Sequence, residues 1–257
     1  MRASPFLQIV YTWLVMSSPP APATALGSPL ESWPGYLAAL RRADEEWAAK
    51  YGGKFGIFTG RNSYLNTLRA ARPIFRQDWR SLSVTEARIL LGLIDSNGAD
   101  YGHLGSMQGA GAAKNVFLDA TPRNLKTRSS IQDAITSLML VPLGDSLPLM
   151  ARRAHEIITN RDGFRTGVAT RLMALARPEV LVSVNNESVG RLAQWSGMPI
   201  ATIKKSAGYE KFIRWVMGGR WWNTRKPEEP FEQEIWSYRG ALIDGLIYEG
   251  QHFRDHL

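Results

Sequence analysis

The sequence predicts a mainly α-helical, compact multi-helix protein with at most minor β structure. Three observations predict it. Apolar residues recur at spacings of three and four from Pro29 onward. Helix start signals such as Ser32 and the Ser83/Glu86 pair are followed by glycine stops. Alternating apolar and polar runs of strand length are scarce. A chain of 257 residues can bury a sizeable core without disulfides or a structural metal. Residues 31–257 read as a single helical domain, open to division into two lobes of about 31–135 and 136–257.

Each element follows from local signals. "SWPGYLAALRRADEEWAAKYG" has Ser32 to cap it, helical apolar spacing and Gly52-Gly53 to end it. "NSYLNTLRAARPIFRQDWRSLSVTEARILLGLIDSNG" holds a helix that stops before Pro73, a short connector, a second helix capped by Ser83, and Asn97-Gly98 as its close. "SSIQDAITSLMLVPLGD" and "SLPLMARRAHEIITNRDG" read as two further helices, the second with an arginine-rich outer face. Two more are expected over about 209–218 and 230–249. Val180 to Val184 is the best strand candidate and Gly56 to Thr59 the second.

The first thirty residues read as a disordered leader or a signal-like segment. Arg2, the apolar run Phe6 to Met16 and the small residues Ala21 to Ala25 imitate a secretory signal, but Gln8, Tyr11 and Thr12 weaken the run. The run is too short to span a bilayer, and no membrane association is expected. A leader ahead of a cytoplasmic protein is the preferred reading. Export is the alternative if residues 1–25 are a true signal peptide. At the other end, His252 and Asp255 have helical i, i+3 spacing, which suits an exposed, mixed-charge terminus as well as a proton-transfer pair.

Composition removes several chemistries. Without cysteine there is no thiolate nucleophile, iron–sulfur cluster or cysteine zinc site, and four histidines without a His-Glu-x-x-His pattern leave no zinc hydrolase ligand set. No metal and no cofactor are expected. A formal charge of +8 and a pI near 9.9 favour a polyanionic partner over a merely basic surface. The glycine-rich stretch "YGHLGSMQGAGAAKNV" fails both phosphate-loop patterns, since Gly111 is followed by Ala-Ala-Lys-Asn and the dinucleotide fingerprint would need glycine at Lys114. It reads first as a tight helix entry; Gln108, Lys114 and Asn115 are the residues in it that can meet a base or a phosphate in a substrate pocket.

The C-terminal segment "KKSAGYEKFIRWVMGGRWWNTRKPEEP" interleaves Lys204, Lys205, Lys211, Arg214, Arg220, Arg225 and Lys226 with Tyr209, Phe212, Trp215, Trp221 and Trp222. On nucleic acid, cations position the backbone while a ring supports an unstacked base. Gly218-Gly219 should break the helix just before the paired tryptophans and display at least one ring; the alternative is that Phe212, Trp215 and one of that pair are core. A second cationic row, Arg69, Arg72, Arg76 and Arg80, is interrupted by Pro73.

The stretch "NRDGFRTGVATRLMALARPEVLVSVNNESVGRLAQWSG" runs from a polar glycine turn into a helix, a proline, a short apolar run, a polar cluster and a second helix. This order resembles the helix-hairpin-helix DNA glycosylases over about residues 160–197. Gly167 and Thr170 match the Gly-x-x-Thr end of the hairpin, "RPEVLVSV" matches the approach to the catalytic turn, and Arg191 falls where the following helix commonly carries arginine. Gly163-Phe164-Arg165 stands where the family has Gly-apolar-Gly, and Asn185-Asn186-Glu187 stands where it has its aspartate. The resemblance implies a DNA-binding base-excision enzyme for a modified or unusual base, acting in repair or in defence against foreign DNA, with Arg165, Gly167 and Thr170 on the backbone.

A flipped base must leave a sugar whose developing positive charge is stabilised while a water is oriented. Asparagine cannot supply that charge. Glu187 can, if it faces a cavity, with Asn185 and Asn186 orienting the water or bonding the base. The alternative is structural: Asn186 or Ser188 caps the helix over 188–196 and Glu187 sits at its positive end. A non-catalytic helical nucleic-acid-binding protein and an exported basic helical protein are the competing functions.

Overall fold

The structure is a computed structural model that describes residues 31–249. The leader over 1–30 and the His252/Asp255 pair lie outside the described residues. Twelve α-helices and one two-stranded sheet make up the described chain: α1 (Trp33–Lys50), β1 (Phe55–Gly56), β2 (Asn62–Ser63), α2 (Tyr64–Ala71), α3 (Val84–Leu91), α4 (Gly111–Leu118), α5 (Pro122–Met139), α6 (Leu147–Thr159), α7 (Thr166–Ala176), α8 (Val189–Ser196), α9 (Ile200–Ile203), α10 (Ser206–Met217), α11 (Pro230–Tyr238) and α12 (Ile243–Glu249). The mainly helical class with minor β is as the periodicity predicts.

Two caps are those the sequence marks. Ser32 accepts from the Gly35 amide, and Ser83 and Glu86 form a complete capping box that starts α3. In α1, Trp33, Tyr36, Leu37, Leu40, Ala43 and Trp47 fall on one face and are buried. Tyr36 stacks on Trp221 with centroids 4.6 Å apart, and its hydroxyl donates to the Arg239 carbonyl at 2.5 Å. The first helix thereby closes against the C-terminal ones. Ion pairing repeats that closure, with Arg69 donating twice to Glu234.

Four expectations are revised. Helix α3 ends at Leu91 with Gly92 in the left-handed conformation, six residues before the expected close at Asn97-Gly98. Val180 to Val184 forms no strand: helices surround it, so its polar groups are met by side chains, the Val184 amide by Thr170 Oγ1 at 2.9 Å and the Val182 carbonyl by the Tyr209 hydroxyl at 2.9 Å. The helix expected from Ser129 starts a full turn and more earlier, at Pro122, capped by Thr121. The segment 230–249 is two helices broken at 239–242. There the Ala241 amide bonds the Pro178 carbonyl at 2.9 Å, and a Cβ at Gly240 would stand 2.5 Å from the Val180 backbone. The β pairing is parallel, Phe55 opposite Asn62 and Gly56 opposite Ser63, and it ends where Asp44 Oδ1 takes the amides of Ile57 and Phe58.

Candidate nucleic-acid interface

Helices α6 and α7 form a helical hairpin around the turn at residues 160–165. Gly163 has φ +76° and a Cβ there would lie 2.3 Å from the Ala112 side chain, so only glycine lets the turn seat on the first turn of α4. Phe164 is buried beneath it, whereas Arg161, Asp162 and Arg165 are exposed. Helix α7 begins after Arg165 with no side chain capping its first amides. Gly167 packs against the next functional segment, its Cβ position 3.8 Å from the Val184 carbonyl and 3.9 Å from the Asn185 Cα. Thr170, expected at the DNA backbone, is fully buried instead. Its hydroxyl accepts from the Val184 amide and lies 2.8 Å from the Thr166 carbonyl, tying α7 to the 180–184 run.

The turn at 185–188 answers what Asn185 is for. Its Oδ1 accepts from the amides of Glu187 and Ser188, both at 2.9 Å, its own amide donates to Ser188 Oγ at 3.2 Å, and its carbonyl accepts from the Val189 amide. Asn185 therefore caps the turn leading into α8, while Ser188 holds the expected N-cap position without a capping side-chain bond and Asn186 takes no part. Both ends of its amide are occupied, because Nδ2 donates inward to Asp244 Oδ1 at 3.2 Å. Asn186 and Glu187 are exposed, and Asn186 Oδ1 accepts from Lys204 Nζ at 3.3 Å. Glu187 stands on the surface beside the hairpin, at the start of a helix.

Beneath the turn lies a polar cluster that the motif reading missed. Asp244 is 1% exposed and also accepts from the Tyr64 hydroxyl at 2.9 Å. Burial pushes its pKa up to about 6, against the hydrogen bonds from Tyr64, Ser188 and Asn185 and the Arg171 charge. Arg171 is itself fully buried. Its guanidinium donates to the carbonyls of Ile89, Leu90, Tyr101, His103 and Gly105, which joins the end of α3 to the 101–105 loop. Burial lowers its pKa to about 10, so it stays cationic. Gly92 lies under it, where a Cβ would meet the guanidinium carbon at 2.8 Å. Leu104, the one non-glycine residue with positive φ (67°) among the described residues, turns the loop so that its neighbours' carbonyls converge on that cation. His103, packed against Trp47, Phe55 and Tyr64, is held neutral by burial, with its pKa down to about 4.

One sequence signal points to both buried charges: each sits among apolar neighbours, Arg171 on the same helix face as Val168, Ala174 and Leu175, and Asp244 inside the buried run from Ala241 to Ile247.

The remaining expected residues divide between two regions. Lys204 and Lys205 are exposed at the start of α10, and the Lys204 carbonyl accepts from Thr166 Oγ1 at 2.7 Å, which places the pair beside the hairpin. Gln108 is exposed, Lys114 half-buried and Asn115 exposed, on the loop and helix that the hairpin turn touches. Two open grooves of about 280 and 520 Å³ lie along α5, and neither is lined by any expected site residue.

The C-terminal cluster is elsewhere. Trp221 and Trp222 are 2% and 8% exposed, so neither offers a face to a base. Trp221 stacks on Tyr36, and the Trp222 indole donates to the Glu179 carbonyl while its face covers Arg239. Arg220, Arg225 and Lys226 are exposed around them, and Arg225 faces Glu228 at 3.6 Å. Helix α10 runs from the hairpin end, where Ser206 meets His155 on α6, to the far end, where Arg214 reaches the Asp145 carbonyl. The two basic regions are thus separated by roughly the length of α10, about 18 Å for 12 residues at 1.5 Å each.

No protein-family model matches the sequence, and comparisons with curated proteins and with solved structures find no significant match. No helix among the described residues is long and apolar enough to cross a membrane.

Proposed function

We propose that the protein binds DNA through the face that carries the α6–α7 hairpin, the 185–188 turn and the start of α10. The observation that carries this reading is the convergence of separate sequence segments: the uncapped start of α7 beside Arg165, the exposed Asn186, and Lys204 and Lys205. Exposed amides at a helix start and flanking cations are the groups that hold phosphate oxygens. A cytoplasmic location follows from that partner. The test is binding to a labelled duplex over a range of salt. Affinity should fall steeply with salt, since each neutralised phosphate releases counterions. Affinity that is flat between low and physiological salt would remove phosphate contact as the basis.

A second reading, base excision from modified DNA, rests on the helix, turn and helix order over 160–197, and the exposure of Glu187 on the surface speaks against it. It is tested by incubating modified duplexes with the protein and revealing abasic sites with alkali. Glu187→Gln should lower a single-turnover rate on the order of a hundredfold with DNA affinity kept. An unchanged rate leaves the turn as a capped helix start and the protein as a non-catalytic binder.

A further inference from the structure

Helix α5 presents two faces. Arg128, Ile131, Ile135 and Leu138 point inward, and Arg128 donates to the carbonyls of Val116, Trp79 and Asp119, which fixes the rotation of the helix. With that rotation fixed, Arg123, Lys126 and Ser130, at i, i+3 and i+7, share a stripe on the opposite side. Two contacts show what this stripe adjoins: Arg161 Nη2 of the hairpin donates to Ser130 Oγ at 2.5 Å, and Arg123 Nη2 lies 3.8 Å from Asp162 Oδ2. Lys126 is exposed between them.

We propose that the phosphate-binding surface continues from the hairpin onto the first two turns of α5, where Arg123 and Lys126 take neighbouring phosphates of the same duplex. The proposal rests on the DNA-binding reading and extends it to residues outside the stretch that resembles a known motif. Arg123 and Lys126 on α5 with Arg161 and Arg165 on the hairpin outnumber the carboxylates at this end, Asp162 beside Arg123 and Asp119 beside Asn124, so the local balance is positive. The Arg123–Asp162 contact does not hold Arg123 back. Its side chains are 85% and 98% exposed, and such a solvated pair is worth little. A phosphate offers Arg123 a charge-assisted fork that this distant carboxylate does not. Further along α5 the stripe loses its positive character at Asp133, which lines the groove with Arg153 and marks the end of the footprint.

The experiment is a salt titration of duplex binding by the full chain and by Arg123→Ala/Lys126→Ala. Each lost phosphate contact removes about 0.9 from the slope of log affinity against log salt, so the double variant should lose about 1.8. Arg123→Lys/Lys126→Arg should keep the slope, which separates charge from fold, and an unchanged melting curve checks the fold directly. Arg225→Ala/Lys226→Ala, at the far end, should also keep it. A slope unchanged in the α5 alanine variant, with the full chain binding normally, overturns the α5 footprint and leaves the hairpin reading standing. Salt-insensitive binding, or none, by the full chain overturns both.

Discussion

Replacing Asn185 by aspartate puts a carboxylate at the turn into α8, and the surroundings of Asn185 predict harm. The new carboxylate keeps the two amide donors that Asn185 Oδ1 now holds, but its second oxygen faces Asp244 Oδ1 at the 3.2 Å where Nδ2 now donates. Two charges at that distance repel by about 5 kcal/mol at an effective dielectric near 20, so the pair takes up a proton rather than bear it. Asp244 alone already titrates at about 6 because of burial, and the pair should hold its proton well above that. At pH 5 an O–H···O bond replaces the N–H···O bond and the net loss should stay under about 1 kcal/mol. At pH 8 the proton must be held or the repulsion borne, for a loss of roughly 2–4 kcal/mol. The assay is urea unfolding followed by circular dichroism at both pH values. In the parent protein, the raised pKa of Asp244 means its contribution to stability is full below about pH 3.9, its unfolded value, and is lost as pH rises through about 6. Asp244→Asn should therefore flatten the parent's stability between those limits. It should also rescue Asn185→Asp at pH 8, since the amide at 244 can donate to the carboxylate at 185. A variant no more destabilised at pH 8 than at pH 5, or no rescue by Asp244→Asn, would refute the reasoning.

Three further outcomes follow, two from burial and one from exposed charge. Arg171→Lys keeps the charge but replaces a five-donor fork by three donors among five carbonyls, and should cost about 3 kcal/mol with faster amide exchange in the 101–105 loop; a loss under about 1 kcal/mol in urea unfolding would refute it. Trp221→Ala should cost about 3–5 kcal/mol without changing the salt slope of DNA binding, whereas Lys204→Ala/Lys205→Ala should lower that slope by about 1.8 with the melting temperature kept. The reverse pattern would return the tryptophans to the interface.

What the sequence determines by itself is local. Helix class, the Ser32 cap, the Ser83/Glu86 box and the stops before Pro73 and at Gly52 depend on residues within one turn of each other, and they stand in the structure as read. The helix–turn–helix order over 147–176 and the polar turn at a helix start are legible for the same reason. Tertiary structure alone decides what a residue type does at long range. Val180 to Val184 has strand composition, but no partner strand reaches it, and helices satisfy its backbone from the side. Trp221 and Trp222 have the look of a stacking platform, but Tyr36 from the far end of the chain and the buried Arg239 claim their faces. Asn185 stands where the sequence reading expects a catalytic residue, but Asp244, fifty-nine positions away, takes its free donor. The same long-range packing sets Lys204 beside the hairpin and leaves Arg225 about a helix length away, a separation that spacing along one segment cannot encode because it arises from the antiparallel run of α10 against α6.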